Sequence, residues 1–317
     1  WVRSCEVNEI DAREWADDEY CDSSLGEDQG QGGADPMCSG GVLPPTGKCL
    51  PKPPECAPNQ DPGDPPECVE KCEYFPPIGQ FEPEEKFSWG DVNNNTHNVM
   101  MAPIVTQLDD DDCDGVVNER DLPDIVFFTF DNNDYNNTGG NSATLRAISI
   151  VDGVLIEKWS TKTADDAPGR SIAAADVIPN LLGNEIAVCT RDGRVRLYDA
   201  LGQVVWTSLN TGTSCFMPSI ADIDQDGTAE IIVRGAIIDG LTGDIEVTVA
   251  NTQNIVVSDV DGDNQLDIVG TSRAYDATGA LIADSGVPGT PAAVGDLDNA
   301  GITEIAPAHQ GGQTPAV

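Results

Sequence analysis

Two nine-residue segments place carboxylates at alternate positions: Asp222-Ile-Asp-Gln-Asp-Gly-Thr-Ala-Glu230 and Asp259-Val-Asp-Gly-Asp-Asn-Gln-Leu-Asp267. Acids stand at positions 1, 3, 5 and 9 of both, and Ile-Ile-Val or Ile-Val follows. Alternate acids converge only where the loop wraps around a positive charge. A hard cation with oxygen ligands, most simply calcium, is the natural guest. Without a cation, three or four carboxylates forced together repel one another and resist ionisation.

Three further segments form a graded series with these two. Residues 110–121 fit the twelve-residue calcium pattern, with acids at Asp110, Asp112 and Asp114, Gly115 at position 6, the carbonyl of Val116 at 7, Asn118 at 9 and Asp121 at 12. Helices flank such a loop in an EF-hand. Here the flanks are Pro103-Ile-Val and Pro123-Asp-Ile-Val-Phe-Phe, which read as strands. The segment 296–304 keeps Asp296, Asp298 and Glu304 but has Ala300 at position 5, where water must replace a ligand. The segment 176–185 has lost its inner acids and gained a residue, which predicts no metal there. Cys189 and Cys215 lie between this degenerate loop and the next one, and a disulfide between them would stiffen that seam.

The elements that position these loops emerge on aligning the last acids: Asp124, Glu185, Glu230, Asp267 and Glu304, at intervals of 61, 45, 37 and 37 residues. A short apolar run precedes each loop, such as Pro218-Ser-Ile-Ala or Ile255-Val-Val-Ser, and another follows it. Behind these come hairpin signals, Leu197-Tyr-Asp-Ala-Leu-Gly-Gln-Val-Val-Trp206 and Ala274-Tyr-Asp-Ala-Thr-Gly-Ala-Leu-Ile282. Asp and Gly at their centres accept the positive φ of a tight turn. Strand, loop, strand and hairpin make four strands in about 40 residues, the size of one propeller blade. The expected fold is therefore an all-β propeller of four-stranded blades, with about five units visible and the last one breaking off near Val317.

The chain from about residue 99 to 317 resembles the FG-GAP or VCBS-type repeat propellers, which include the integrin α-subunit head and many large secreted bacterial surface proteins. The strongest element of the likeness is the D-x-D-x-D-G-x-x-D/E loop at 222–230. The second loop carries its glycine earlier, at Gly262. The resemblance implies calcium held by Asp222, Asp224, Asp226, Glu230 and the carbonyl of Thr228, and by Asp259, Asp261, Asp263, Asp267 and the carbonyl of Gln265. It implies two to four structural calcium sites in all, each locking one blade.

Bulk properties narrow the setting. Net charge is -39, from 55 acids against 16 bases. That excess repels nucleic acid and anionic membrane surfaces. No apolar run approaches the roughly 18 residues of a membrane span. Ten cysteines against two histidines favour disulfides in an oxidising compartment over metal thiolates. The chain begins at Trp1 without Met, which reads as a processed or partial chain. Seven of the cysteines fall in residues 1–88 among dense prolines and almost no periodic apolar runs. This predicts an irregular, disulfide-stapled N-terminal segment ahead of a propeller at 89–317. Two sequons, at Asn94 and Asn136, fit secreted surface loops. No catalytic constellation is legible. The expected function is a non-catalytic, calcium-stabilised scaffold, adhesion or assembly module at the cell surface, meeting a protein, a glycan or copies of itself. A subunit of an extracellular fibre and a propeller-bearing polysaccharide lyase or hydrolase are the competing readings.

Overall fold

A computed structural model describes residues 4–6, 19–22 and 46–51, and residues 85–307 apart from 91–95, 112–114, 119, 152, 250–254, 271, 285–291 and 296–302. The chain divides into two compact units, one of residues 1–88 with 111–114, the other of residues 89–110 with 115–317. In the first, β1 (Ser4–Glu6), β2 (Glu19–Asp22) and β3 (Thr46–Pro51) form an antiparallel sheet ordered β1-β3-β2, with Cys21 opposite Cys49 in the register. The sequence gives no sign of these strands, which are too short for an alternation to show. The stapling expected of this segment falls outside the described residues.

The second unit is all-β, and no helix occurs among its described residues. Four sheets each contain four antiparallel strands in consecutive order. The first holds β4 (Ile104–Thr106), β5 (Asp124–Phe130), β6 (Ala143–Val151) and β7 (Val154–Thr163), and the second β8 (Ile172–Ala175), β9 (Glu185–Cys189), β10 (Val195–Tyr198) and β11 (Val204–Thr207). The third holds β12 (Ser219–Ala221), β13 (Glu230–Val233), β14 (Ala236–Asp239) and β15 (Ile245–Thr248), and the fourth β16 (Val256–Ser258), β17 (Asp267–Val269), β18 (Arg273–Tyr275) and β19 (Leu281–Asp284). β20 (Ala292–Gly295) and β21 (Glu304–Pro307) pair as a hairpin. The first strand of each sheet lies against the first strand of the next, from β4 through to β20.

The apolar runs of the second strands follow from burial on both faces. Every residue of β9, β13 and β17 is buried. Successive side chains point to opposite faces, so each strand serves two cores. Ile186 and Val188 pack with Val126, Phe128 and Leu145 of the sheet before. Ala187 and Cys189 pack with Ile231, Val233 and Ile238 of the sheet after. Outer strands carry an exposed side, as in β11 and β19.

A repeated contact closes three successive seams. Trp159 on β7 donates its indole N–H to the carbonyl of Ala200 at 2.8 Å, and Trp206 on β11 donates to the carbonyl of Gly240 at 2.9 Å. Their rings cover Gly202 and Gly243, which turn the next sheet's outer hairpin at φ 72° and 77°. A Cβ there would fall 2.7 Å and 2.6 Å from the indole. Val247 takes the same place against Gly279 in the third seam. All three residues stand at the last paired position before a register shift in the outer hairpin. Cys189 and Cys215, both fully buried, form the expected disulfide, tying the end of β9 to the segment that leads into β12.

The acid at the head of each second strand is a clamp for the loop before it. Leu108 N–H donates to Asp124 at 3.1 Å, Ile223 N–H to Glu230 at 2.9 Å, and Val260 N–H to Asp267 at 2.9 Å. Glu185 accepts from both Val177 and Ile178, at 2.8 and 3.0 Å. All four acids are at most 2% exposed. Burial pushes Asp124 up to about 6 although the Lys158 ammonium, 3.0 Å away, opposes the shift. Burial likewise raises Glu185.

Three outcomes follow. Gly243→Ala forces a Cβ into the Trp206 ring at positive φ and costs about 2–4 kcal/mol in chemical denaturation. Glu185→Ala leaves one buried and one half-buried N–H group unmet and costs about 1–3 kcal/mol, equally with and without calcium. A folded-state pKa above the ordinary 3.8 means the folded chain holds Asp124's proton more tightly. Its contribution therefore grows as pH falls through about 6 toward 3.8. Melting in chelator across that window should rise less in Asp124→Asn than in the parent, and identical slopes would exclude a protonated clamp.

Candidate metal centres

The loops between first and second strands carry the candidate ligands. Residues 222–229 join β12 to β13, and 259–266 join β16 to β17. Both loops adopt positive φ at positions 4 and 6. In the first these are Gln225 (61°) and Gly227 (93°), and in the second Gly262 (82°) and Asn264 (67°). Glycine fills one of the two left-handed positions in each loop, and Gln or Asn tolerates the other. The displaced glycine of the second loop is therefore the same backbone path with its residues exchanged.

Backbone amides shape each acid cluster. The position-1 acid accepts from the amide five residues on: Asp222 from Gly227 at 3.1 Å and Asp259 from Asn264 at 3.0 Å. Asp224 accepts from Asp226 N–H and Asp261 from Asp263 N–H, at 3.1 and 3.2 Å. Asp226 takes the amide and hydroxyl of Thr228, which hold its carboxyl below the ordinary range. Asp263 takes the amide and side-chain N–H of Gln265. Within each triad, Asp222–Asp224–Asp226 and Asp259–Asp261–Asp263, carboxylate oxygens come within 4.8 Å of one another.

The donor set suits a hard divalent cation. One oxygen from each of three carboxylates faces one small volume, and one oxygen of Asp222 is buried without a hydrogen-bond partner. Beside the triads, the acid at position 9 is strained electrostatically. Burial first, then Asp224, Glu246 and Asp226, raise Glu230 to about 7. Burial, then Asp261, Asp263 and Asp259, raise Asp267. A cation would relieve that repulsion. Position 9 differs from expectation in one respect. One oxygen of Glu230 and one of Asp267 are committed to the loop backbone, leaving only the other for a cation. The two loops also touch, for Gln225 donates its side-chain N–H to the carbonyl of Asn264 at 2.7 Å.

The remaining segments are placed less fully. Asp110 accepts from Gly115 N–H at 2.8 Å, the same five-residue span. Asn118 N–H donates to buried Asp121 at 2.8 Å, while the Asn118 side chain donates to the Val116 carbonyl at 3.3 Å. Asp112 and Asp114 lie outside the described residues, as do Asp296 and Asp298. Glu304 heads β21 opposite Gly295, where the other clamps head their strands, and its side chain lies outside the described residues. In the degenerate loop the first acid, Asp176, and the clamp, Glu185, persist while the inner acids are gone. The alignment on last acids had marked this position in every unit, but the sequence did not show that its first duty is to the backbone.

No family model matches the chain, and no curated protein matches it. Solved structures do. The V. cholerae biofilm matrix protein Bap1 is similar over 71% of this chain, at 25% identity and a TM-score of 0.58. The match spans 38% of Bap1's own length. The Bacillus licheniformis rhamnogalacturonan lyase PL11 matches over 57% of this chain and 30% of its own, at 18% identity and a TM-score of 0.39. The exotype rhamnogalacturonan lyase YesX matches over 65% and 46%, at 16% identity and a TM-score of 0.47.

Proposed function

We propose that residues 89–317 are blades of a calcium-stabilised β-propeller that serves as a non-catalytic scaffold at the cell surface or in an extracellular matrix. The observation that carries this reading is the pair of Asp triads. Each sits at the same turn of a repeated four-stranded sheet, where a cation would lock that turn. Contact between successive first strands, and the indole seams between successive sheets, support a radial arrangement of blades. The buried Cys189–Cys215 disulfide supports an oxidising compartment. The likeness to a biofilm matrix protein supports a place outside the cell and contact with surface glycans, proteins or other copies of the chain.

Under this reading, calcium neutralises the triads and its binding energy adds to folding stability, by about 2.7 kcal/mol per site when the free ion is a hundredfold above Kd. Chelation therefore lowers the melting temperature by several degrees, most at low salt. Equilibrium dialysis with calcium detects at least two ions per chain. Asp224→Asn with Asp261→Asn abolishes both the uptake at these loops and most of the melting shift. An unchanged melt in chelator, with no ion retained, would overturn the metal assignment. Release of shorter chains from an acidic polysaccharide by the purified protein would overturn the non-catalytic role.

A further inference from the structure

Among the described residues, Arg170 is a cation without a carboxylate partner, in a chain with a large excess of acids. Arg146, Arg191, Arg194, Arg196 and Arg273 each lie within 4.0 Å of a carboxylate. No carboxylate of the described residues pairs with Arg170. One terminal nitrogen of its guanidinium donates to the carbonyl of Thr190 at 2.7 Å, and its Nε is buried with no partner. Burial lowers its pKa, and no neighbouring charge opposes that shift. A half-buried guanidinium with unused planar donors is suited to charge-assisted recognition of a carboxylate.

The surroundings are built rather than incidental. The guanidinium lies over the Phe216 ring, 4.8 Å from its centroid. The two residues that Arg170 touches, Thr190 and Phe216, are the immediate successors of Cys189 and Cys215. The disulfide that ties the sheets thus also sets both contacts of the cation. Next to Phe216, Met217 holds φ at 44°, a costly conformation for a non-glycine residue and one that clusters at ligand sites. Gly169 donates its N–H to the carbonyl of Tyr135 at 2.9 Å, and a Cβ there would fall 3.0 Å from the tyrosine ring. Phe216 and Tyr135 remain 43% and 42% exposed. Arg170 precedes β8, at the end of the sheet opposite the loop that follows it.

We propose that Arg170, with the exposed rings of Phe216 and Tyr135, binds a carboxylate-bearing sugar. The guanidinium takes the carboxylate, and an aromatic face takes the apolar side of the sugar ring. A uronic acid, free or within a polymer, has both features. This inference adds a ligand chemistry to the scaffold reading and does not depend on metal at the Asp triads, which calcium uptake tests separately.

The test is calorimetric titration of the full chain in calcium with trigalacturonate, with its methyl ester and with acetate. The parent protein should bind trigalacturonate, and the ester and acetate at least about tenfold more weakly, as expected when a charge-assisted contact or the ring contact is lost. Arg170→Gln should weaken trigalacturonate binding by about tenfold or more, and Arg170→Lys should not restore it fully. Phe216→Ala, an exposed substitution, should weaken it severalfold with an unchanged melt, which keeps the test valid where Arg170→Gln unfolds. Parent-like binding by folded Arg170→Gln or by Phe216→Ala, equal binding of the ester, or no binding by the parent would each overturn the proposal. Higher affinity for a polygalacturonate chain than for the trimer would identify the polymer as the source of the ligand.

Discussion

A buried carboxylate that accepts a hydrogen bond from the backbone of the segment before its strand shapes each four-stranded sheet of the second unit. Glu230 and Asp267 start a strand inside the core, where an unpaired acid is costly, and the N–H of Ile223 or Val260 supplies the partner. That bond brings the second residue of the loop back to its end and so closes the loop. The position-1 acid then binds the amide five residues on, and the remaining acids are left facing a common centre. The alternate acids converge because the backbone has been folded around them, at the cost of raising the pKa of the clamp that does it.

Repetition works at a second scale through the seams. A four-stranded sheet buried on both sides needs a neighbour on each, and the all-apolar second strands make that need visible. The indole of Trp159 or Trp206 meets a hairpin glycine whose lack of a side chain leaves room for the ring, and its N–H satisfies a carbonyl that the hairpin cannot pair internally. Val247 in the third seam keeps the contact without the hydrogen bond. The seams are therefore alike in shape and unequal in polarity.

Much of this was legible in the residues. Runs such as Ile-Ile-Val after each acid, and Asp and Gly at hairpin centres, located the strands from β8 to β19 within about two residues. Cys189 and Cys215 flank a single seam, and that position pointed to their pairing. Other features depend on contacts distant in sequence. The strands β1 to β3 carry no alternation. Gln225 reaches Asn264 across 39 residues. Asn137 is buried because its side chain bonds the carbonyls of Thr163, Ala164 and Asp166, which no local pattern announces. Nothing local to Arg170 announces that no carboxylate of the described residues pairs with it. The exchange of glycine between positions 4 and 6 had read as a variant motif. It proved to be one backbone path that requires two left-handed residues.

The degenerate loop at 176–185 has an extra residue and none of the inner acids, yet Glu185 holds it by two backbone hydrogen bonds and β8 and β9 pair in full register. Shape and chemistry are thus carried by different residues of the same loop. A clamp within the core keeps the strands together, while the exposed positions beyond it are free to drift. Such a division makes each turn a variable surface on a repeated frame. Acids at the exposed positions can then be gained or lost one loop at a time, by single substitutions, with the neighbouring sheets undisturbed.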